Sequence, residues 1–460
     1  MVAPTQIVDA ISTGEDRYVP RYQVLFAKEP ISELEPNPPA VKGPVDLATA
    51  IEQEFSRLEA KVYRASGDPN NPAPKLGDLL PLAGPWGEKQ GQYTNDVVSV
   101  EFTESIDKKQ PLSKVKVELH NVFDFEARQF RYTDVLKESP DGRPGVFPLI
   151  EYGDTLALRF GYGSDILWVF EGIITTLEAD FPADGQPKLT ITAVDKRERL
   201  RNRKKVKRSQ FSGMSEEEVA AAVASEVGLT VATVDGQKTM PTKSKGNKPS
   251  DQDALQYLTD RANKAALELL CFGNVLFVLK PNDAADKATR YDYRRGLMSF
   301  APTLNNAGKP TAVRVVSRNP TTGEKFDVTV KPEDLQQLGL APSSKEGETE
   351  IAQVKKKGQG GEKVEVVTNY LARSADEAKQ IAIGIMKRNM DQSITVSGEV
   401  VGDPRVRVRE TLQIGGVGRF GGFYYVTETT HRFGANGYQT SFKARRNTAL
   451  GKTAPEEEPS

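Results

Sequence analysis

Gly421–Asn447 reads GGFYYVTETTHRFGANGYQTSFKARRN. Two runs of alternating aromatic, β-branched and polar residues flank Ala435-Asn436-Gly437. Alternation with a period of two belongs to a half-buried strand. Asn-Gly between two such runs signals a hairpin, because a tight turn needs positive φ. The sequence therefore predicts a hairpin with Asn436 and Gly437 in left-handed backbone and Phe442 facing a core.

Working outward, the segment that ends in this hairpin has a counterpart earlier in the chain. Glu410–Ala444 opens with Glu410-Thr411-Leu412, passes Phe420-Gly421 and enters a strand holding Glu428, before the glycine turn and a final strand. Asp154–Ala193 opens with Asp154-Thr155-Leu156, passes Phe170-Glu171-Gly172 and enters a strand holding Glu178. It then turns at Ala183-Asp184-Gly185. The two stretches look like copies of one plan, which predicts two related β-barrels in tandem. Thirty-eight glycines, twenty-nine prolines and many short Val/Thr/Tyr/Phe runs agree with a mainly β protein carrying α+β inserts.

The remaining segments fall around these copies. Residues 1–30 with 93–200 read as the first barrel, with Tyr18–Ala27 as its first strand. Residues 31–92 read as a Pro-rich insertion that interrupts it and that folding can spare. The insertion holds one helix, with Leu47, Ile51, Phe55, Leu58 and Val62 at helical spacing behind a cap at Asp46. Residues 201–309 read as an α/β middle domain with helices at Met214–Val227, ended by Gly228, and at Asp251–Leu267. A loose stretch at Asp235–Lys248 separates them. Residues 310–393 read as a connecting α/β segment with a loose charged loop at Lys345–Glu362 and a helix at Ser374–Met390. Residues 394–447 read as the second barrel, and 448–460 as a disordered tail.

The charge balance excludes a strong global field, since 62 basic residues face 63 acidic ones. A single cysteine, Cys271, rules out an intramolecular disulfide and fits a reducing cytosol. Met1–Thr13 lacks a basic start followed by an apolar run, so no signal peptide is expected. No window approaches eighteen apolar residues, and no membrane partner is expected.

Candidate chemistry is thin. His120 and His431 lie in alternating strands with no Cys or carboxylate cluster at metal spacing, and are read as structural. Cys271, in LELLCFG, reads as a small buried hydrophobe. Gly416–Gly421 matches GxGxxG, but a strand follows it where a dinucleotide site needs a helix, so it reads as a turn. Glu52 with Glu54, and Glu216–Glu218, read as exposed helical faces that nothing orients for acid–base work. The run Lys196–Arg208, KRERLRNRKKVKR, holds nine basic residues in thirteen. It can be a solvated strand or linker, a patch for an acidic protein surface, or a nucleic-acid site, although it lacks stacking aromatics. No catalytic, cofactor-binding or metal-binding residue is assigned, no cofactor is expected, and the chain reads as a non-enzyme.

Gly421–Asn447 resembles the C-terminal signature of the late-control-D family, which includes the hubs of contractile phage tails and the N-terminal part of VgrG proteins. Phe170–Asp195, Ser250–Ala262 and Ala375–Asn389 are similar to that family's first-barrel hairpin and two of its helices. The resemblance implies the central hub of the baseplate of a contractile injection machine. It implies a homotrimer whose two barrels per subunit make a pseudo-sixfold ring, adapting a sixfold inner tube to a threefold spike. The partners implied are a separate spike protein, inner tube proteins and other baseplate or wedge proteins. The spike is taken as separate because the chain stops soon after the second barrel. Assembly is expected in the cytoplasm, with release by lysis as part of a phage-tail-like particle. A cell-wall-degrading tail hydrolase and a nucleic-acid-binding module built on Lys196–Arg208 are the alternatives.

Overall fold

The computed structural model describes residues 20–28, 45–62, 79–81, 96–106, 112–120, 122–126, 128–130, 133, 150–163, 165–201, 216–233, 253–264, 267–281, 288–304, 310–319, 322–337, 363–368, 372, 374–391 and 394–447. Residues 1–19, the stretches at 235–248 and 345–362 and the tail at 448–460 lie outside the described residues.

In chain order the first elements are β1 (Pro20–Ala27), β2 (Val45–Asp46), α1 (Leu47–Lys61), β3 (Leu80–Pro81), β4 (Val97–Ser105), β5 (Lys114–Leu119), β6 (Phe123–Asp124) and β7 (Gln129–Phe130). Then come β8 (Thr155–Tyr162), β9 (Asp165–Asp180), β10 (Lys188–Asp195), α2 (Glu198–Arg201), α3 (Glu216–Ser225), β11 (Thr230–Thr233), α4 (Ala254–Lys264), β12 (Glu268–Phe272) and β13 (Val275–Leu279). The rest are β14 (Thr289–Tyr293), β15 (Gly296–Leu304), β16 (Ala312–Arg318), β17 (Lys325–Val330), α5 (Pro332–Gln337), β18 (Val364–Val367), α6 (Ala375–Asp391), β19 (Ile394–Val401), β20 (Thr411–Gly415), β21 (Gly422–Gly434) and β22 (Gly437–Arg446).

One 13-stranded sheet carries most of the molecule, in the order β20-β14-β15-β19-β22-β21-β4-β5-β10-β9-β8-β1-β3. Strand β20 also pairs with β21, which closes β20, β14, β15, β19, β22 and β21 into a six-stranded barrel. The earlier strands do not close by hydrogen bonds among the described residues. They form an open sheet whose edge strand β4 pairs with the far half of β21, His431 opposite Phe102. Of the two related barrels expected in tandem, hydrogen bonds among the described residues close one, and the earlier strands form a sheet. The reason lies in the β21–β22 hairpin, which is long enough to serve both: Phe433 and Tyr438 at its tip pack in the open sheet's core with Phe102 and Phe160.

The repeat holds strand by strand. β4, β5, β8, β9 and β10 pair with one another as β15, β19, β20, β21 and β22 do. Val97 pairs Leu119 and a bulge at Val98 follows; Leu297 pairs Val400 and a bulge at Met298 follows. Thr155 pairs Ile173 where Thr411 pairs Tyr425. Two residues further on, β9 bulges at Thr175 and β21 at Thr427. Bulges mark one strand residue without a partner, so matching them fixes an alignment more tightly than composition can.

The closed barrel also recruits residues that the sequence reading put elsewhere. β14 and β15 lie inside the 201–309 segment, yet β14 pairs with β20 and β15 with β19. The α/β sheet is β12-β13-β11-β2. Its central strand β13 is buried on both faces. Leu276 and Val278 meet α3 and α4, while Val275, Phe277 and Leu279 meet α1, as a two-sided strand requires. A smaller sheet, β17-β16-β18, packs on α6 through Val313, Val315, Ala382 and Met386.

Residues 31–92 are not a spare insertion. β2 pairs in parallel with β11, and β3 pairs with β1. The Asp46 cap forms, its Oδ2 accepting from the Thr49 N–H at 3.1 Å. From there α1 buries Ala50 and Ile51 against β13 and Leu58 beside Trp168 and Leu79. Two cores therefore close over one helix.

The hairpin turns differ from the sequence reading as well. Gly437 has φ +79°, but Asn436 is not among the described non-glycine residues with positive φ. With Gly434 paired to Gly437, the turn places glycine alone in left-handed backbone, the arrangement of a glycine bulge at the end of a two-residue loop. The counterpart loop joins Asp180 to Lys188 across seven residues, and Gly185 there has φ +131°. It is a longer, irregular connection and not a tight turn.

Candidate functional site

The chemistry of this chain gathers where the α/β sheet meets the open sheet and the barrel. Strand β9 runs through the apolar core, yet places Glu171 inside at 2% exposure. Glu171 meets the Lys196 ammonium at 3.0 Å and the Arg57 guanidinium of α1. Arg57 also donates to Glu54 at 2.8 Å, and Lys196 donates to Asn274 Oδ1 at 2.7 Å. Burial raises the Glu171 carboxyl, but Lys196 and Arg57 outweigh it and hold its pKa at about 2. A carboxylate this deep is stable because two cations and their hydrogen bonds replace water.

Two residues after Asp195, the last of β10, Arg197 folds back on that carboxylate with Nε–Oδ1 at 2.9 Å and Nη2–Oδ2 at 2.7 Å. Its Nη1 donates to the Leu269 carbonyl of β12 at 2.8 Å, and Asp195 accepts the Ser113 N–H at 2.5 Å. Burial works against the Arg197 charge and Asp195 restores it, so its pKa is raised. The end of the open sheet is thereby fastened to β12.

The barrel grips the same strand from its own side. Arg409 Nη1 donates to Glu268 Oε2 at 2.5 Å, and Nη2 to the Lys280 carbonyl at 2.8 Å. The Tyr425 hydroxyl donates to Glu268 Oε2 at 2.7 Å. Between barrel and open sheet, Arg407 makes two 2.8 Å bonds to Glu104 and lies 5.3 Å above the Phe102 ring. These ion pairs tie the three parts of the molecule together at fixed geometry. Charge-assisted, often two-pronged bonds of this kind specify orientation as well as energy.

The residues singled out in the sequence are mostly scattered. His120 Nε2 lies 2.9 Å from Glu118 on the surface of β5's end. His431 is fully buried, with Nδ1 2.9 Å from the Tyr438 hydroxyl and 3.2 Å from Thr440 Oγ1. Burial and the Arg407 charge push its imidazole down to about 3, so it is neutral. Cys271 Sγ sits 3.5 Å from the Gly273 carbonyl, and burial pushes its thiol well up, against nucleophilic use. Gly416–Gly421 runs through a short 3-10 turn, Gly418–Phe420, straight into β21. No helix N-terminus follows to hold a phosphate.

Two readings need correction. Lys196 and Arg197, the start of the basic run, are buried in ion pairs and not solvated, because Glu171 and Asp195 wait for them in the core. Arg201 pairs with Glu198 at 3.1 Å, and 202–208 lie outside the described residues. Glu52 is exposed but Glu54 is buried on Arg57, so that pair is not a single solvated face. Glu218 is exposed, and the side chains of Glu216 and Glu217 lie outside the described residues. Among the described residues no group of three His, Cys, Asp or Glu could hold a metal. Glu171, Glu268 and Arg409 escaped the sequence reading. The available signal was a charged residue inside or beside an apolar strand, as in VFEGII and LELLCF.

Residues 149–434 match the model of a family described as Alg8_N, the Alg8 N-terminal domain. That span is more than half the chain and runs from before β8 to the end of β21. The chain belongs to this family. It is a different family from the one whose signature Gly421–Asn447 resembles. No curated protein matches the chain. Among solved structures, it is similar to the 43 kDa tail protein of prophage MuSo2 from Shewanella oneidensis. The TM-score is 0.54 at 12% identity, over 79% of this chain and 98% of that one. It is also similar to the tail protein from Neisseria meningitidis MC58, with TM-score 0.52 at 11% identity, over 78% and 95%. The fold of this family member is that of those tail proteins.

Proposed function

We propose that this chain is a structural component of a phage-tail-like particle and acts as the central hub of its baseplate. The observation that carries this reading is the strand-by-strand equivalence of β4-β5-β8-β9-β10 with β15-β19-β20-β21-β22. Three copies of a chain with two like units present six similar faces, which suits a joint between a threefold spike and a sixfold tube. The tail-protein fold supports the same setting. The buried carboxylates Glu171, Asp195 and Glu104, each held by a cation, suit a part that must transmit force without changing shape. In this reading the chain assembles in the cytoplasm with spike, inner tube and wedge proteins, and leaves the cell within the particle on lysis. It performs no reaction.

Co-expression with candidate spike and tube proteins of such a particle, followed by native mass measurement, tests the hub. Three copies of this chain per spike complex are expected. A single copy per complex at every concentration would sink the trimer. Clearing of a cell-wall suspension by the purified chain would favour the hydrolase instead.

A further inference from the structure

We propose that the acidic run Glu456-Glu457-Glu458 of this chain docks on a basic, aromatic rim at one end of the closed barrel, made by Arg294, Arg295 and Arg419. The rim is built by two turns that leave the barrel side by side. β14 and β20 run parallel, with Asp292 opposite Gly415, so both chains exit at the same end. The turns touch there: a Cβ on Gly416 would stand 3.4 Å from the Tyr293 nitrogen. Tyr293, Arg294, Arg295, Gly416, Gly418 and Arg419 are all exposed. The Arg294 guanidinium lies 5.6 Å over the Tyr293 ring and that of Arg419 4.8 Å over the Phe420 ring. Asp292, the nearby carboxylate, is engaged by Arg290 at 3.2 Å. Among the described residues no carboxylate pairs with Arg294, Arg295 or Arg419.

The last strand delivers the tail to this same rim. Arg446 donates to the Gly421 carbonyl at 3.0 Å from within the barrel, and the Asn447 N–H bonds the Phe423 carbonyl at 2.9 Å. Residues 448–460 begin there and carry three consecutive glutamates. The nine peptide steps from Asn447 to Glu456 can span up to about 30 Å, enough to bring the run back across the rim. Guanidinium forks match carboxylates two bonds at a time. Exposed pairs are individually weak, but a short tether holds the glutamates at about millimolar effective concentration. Docked, the tail shields the rim, and any acidic partner surface must displace it.

The test is paramagnetic broadening in the full chain. A nitroxide on Ser460→Cys, with Cys271 replaced by Ser because it is only partly buried, should broaden the Gly416 and Gly418 amide signals at low salt. The signals should sharpen at about 1 M salt, where the Debye length is about 3 Å. They should also sharpen in the E456K/E457K/E458K variant and in R294E/R295E/R419E, while combining both sets should restore broadening. No broadening in the native chain, or broadening indifferent to both reversals, overturns the proposal. So does broadening that appears on an isotope-labelled chain when the nitroxide is on a second, separate copy, since the tail then docks between molecules.

Discussion

Gly153 and Arg409 hold the same backbone place in the two β-units. Gly153 has φ +94° and Arg409 has φ +73°. Each donates its N–H at 2.9 Å, to the Ile174 and Val426 carbonyls respectively, and those two residues return bonds to Asp154 and Glu410. One unit solves the left-handed position with glycine. The other keeps arginine there because its side chain reaches Glu268 and Lys280.

This relationship predicts opposite responses to Ala and Gly. A Cβ on Gly153 meets nothing within 4 Å, so Gly153→Ala should cost only the left-handed strain, about 1–2 kcal/mol. Arg409→Ala should cost more, about 1.5–3 kcal/mol, by leaving the partly buried Glu268 without its cation. Arg409→Gly should recover about 1 kcal/mol of that loss by releasing the strained backbone. Urea midpoints at constant slope read all three. Equal losses for Arg409→Gly and Arg409→Ala would refute the strain.

The two turn glycines should behave unequally. Gly437 closes a two-residue turn at φ +79° with open space around it, so Gly437→Val should lose about 1–2 kcal/mol or more through strain alone. It should also loosen the register that places Phe442 in the core. Gly185 lies in the seven-residue connection, which can redistribute its dihedrals, so Gly185→Val should lose less. Thermal midpoints of the two variants decide this, and equal losses would show that the connection is as constrained as the turn.

What the sequence made legible was local. The period-two runs of β21 and β22, the Asp46 cap and the amphipathic α6 needed no distant partner to be read. The repeat was visible because Thr155-Leu156 and Thr411-Leu412 begin the same meander. The closed ring was not legible, since β14 joins β20 in parallel across more than a hundred residues and is only five residues long. Glu54 looked solvated because helical spacing says which face is apolar, not that Arg57 and Glu171 await on it. Lys196 and Arg197 were read by counting charge, whereas their burial depends on Glu171 and Asp195, one of which lies twenty-five residues upstream in another strand.

The segment around α1 should prove indispensable. Leu58 has no exposed surface and fills the core between β1, β8 and Trp168. Leu58→Ala should cost about 2–5 kcal/mol through lost contact and the cavity left behind. Deleting residues 31–92 should remove α1 and with it half of the cover on β13, leaving the chain insoluble. A soluble deletion variant with an unchanged unfolding midpoint would return the segment to the status of a loop.

The pH dependence of stability should carry the signature of His431. Its imidazole is held at about 3 against an ordinary 6.5, first by burial and then by the Arg407 charge. Below 6.5 the unfolded chain takes up a proton that the folded chain refuses. Stability therefore falls as pH drops through 6.5 toward 3, by up to about 1.4 kcal/mol per pH unit. The buried carboxylates act lower. Glu171 is held at about 2 against an ordinary 4.5, and Glu104 is lowered as well by Arg407, against the pull of burial. Their stabilisation is complete above 4.5 and is lost as pH falls through their folded values. Between about pH 6.5 and 4.5 the fall should thus belong to the histidine, offset in part by Glu410 and Glu198, whose carboxyls burial raises above 4.5. His431→Phe forfeits the bonds to Tyr438 and Thr440, so it should start less stable at neutral pH, yet its ring can keep the stack on Phe102. Its stability should stay flat or rise slightly as pH falls across that window, where the native chain gains less or declines. Urea midpoints of both proteins, taken across the window, measure the difference in slope, and parallel curves would mean that some other group takes up the proton.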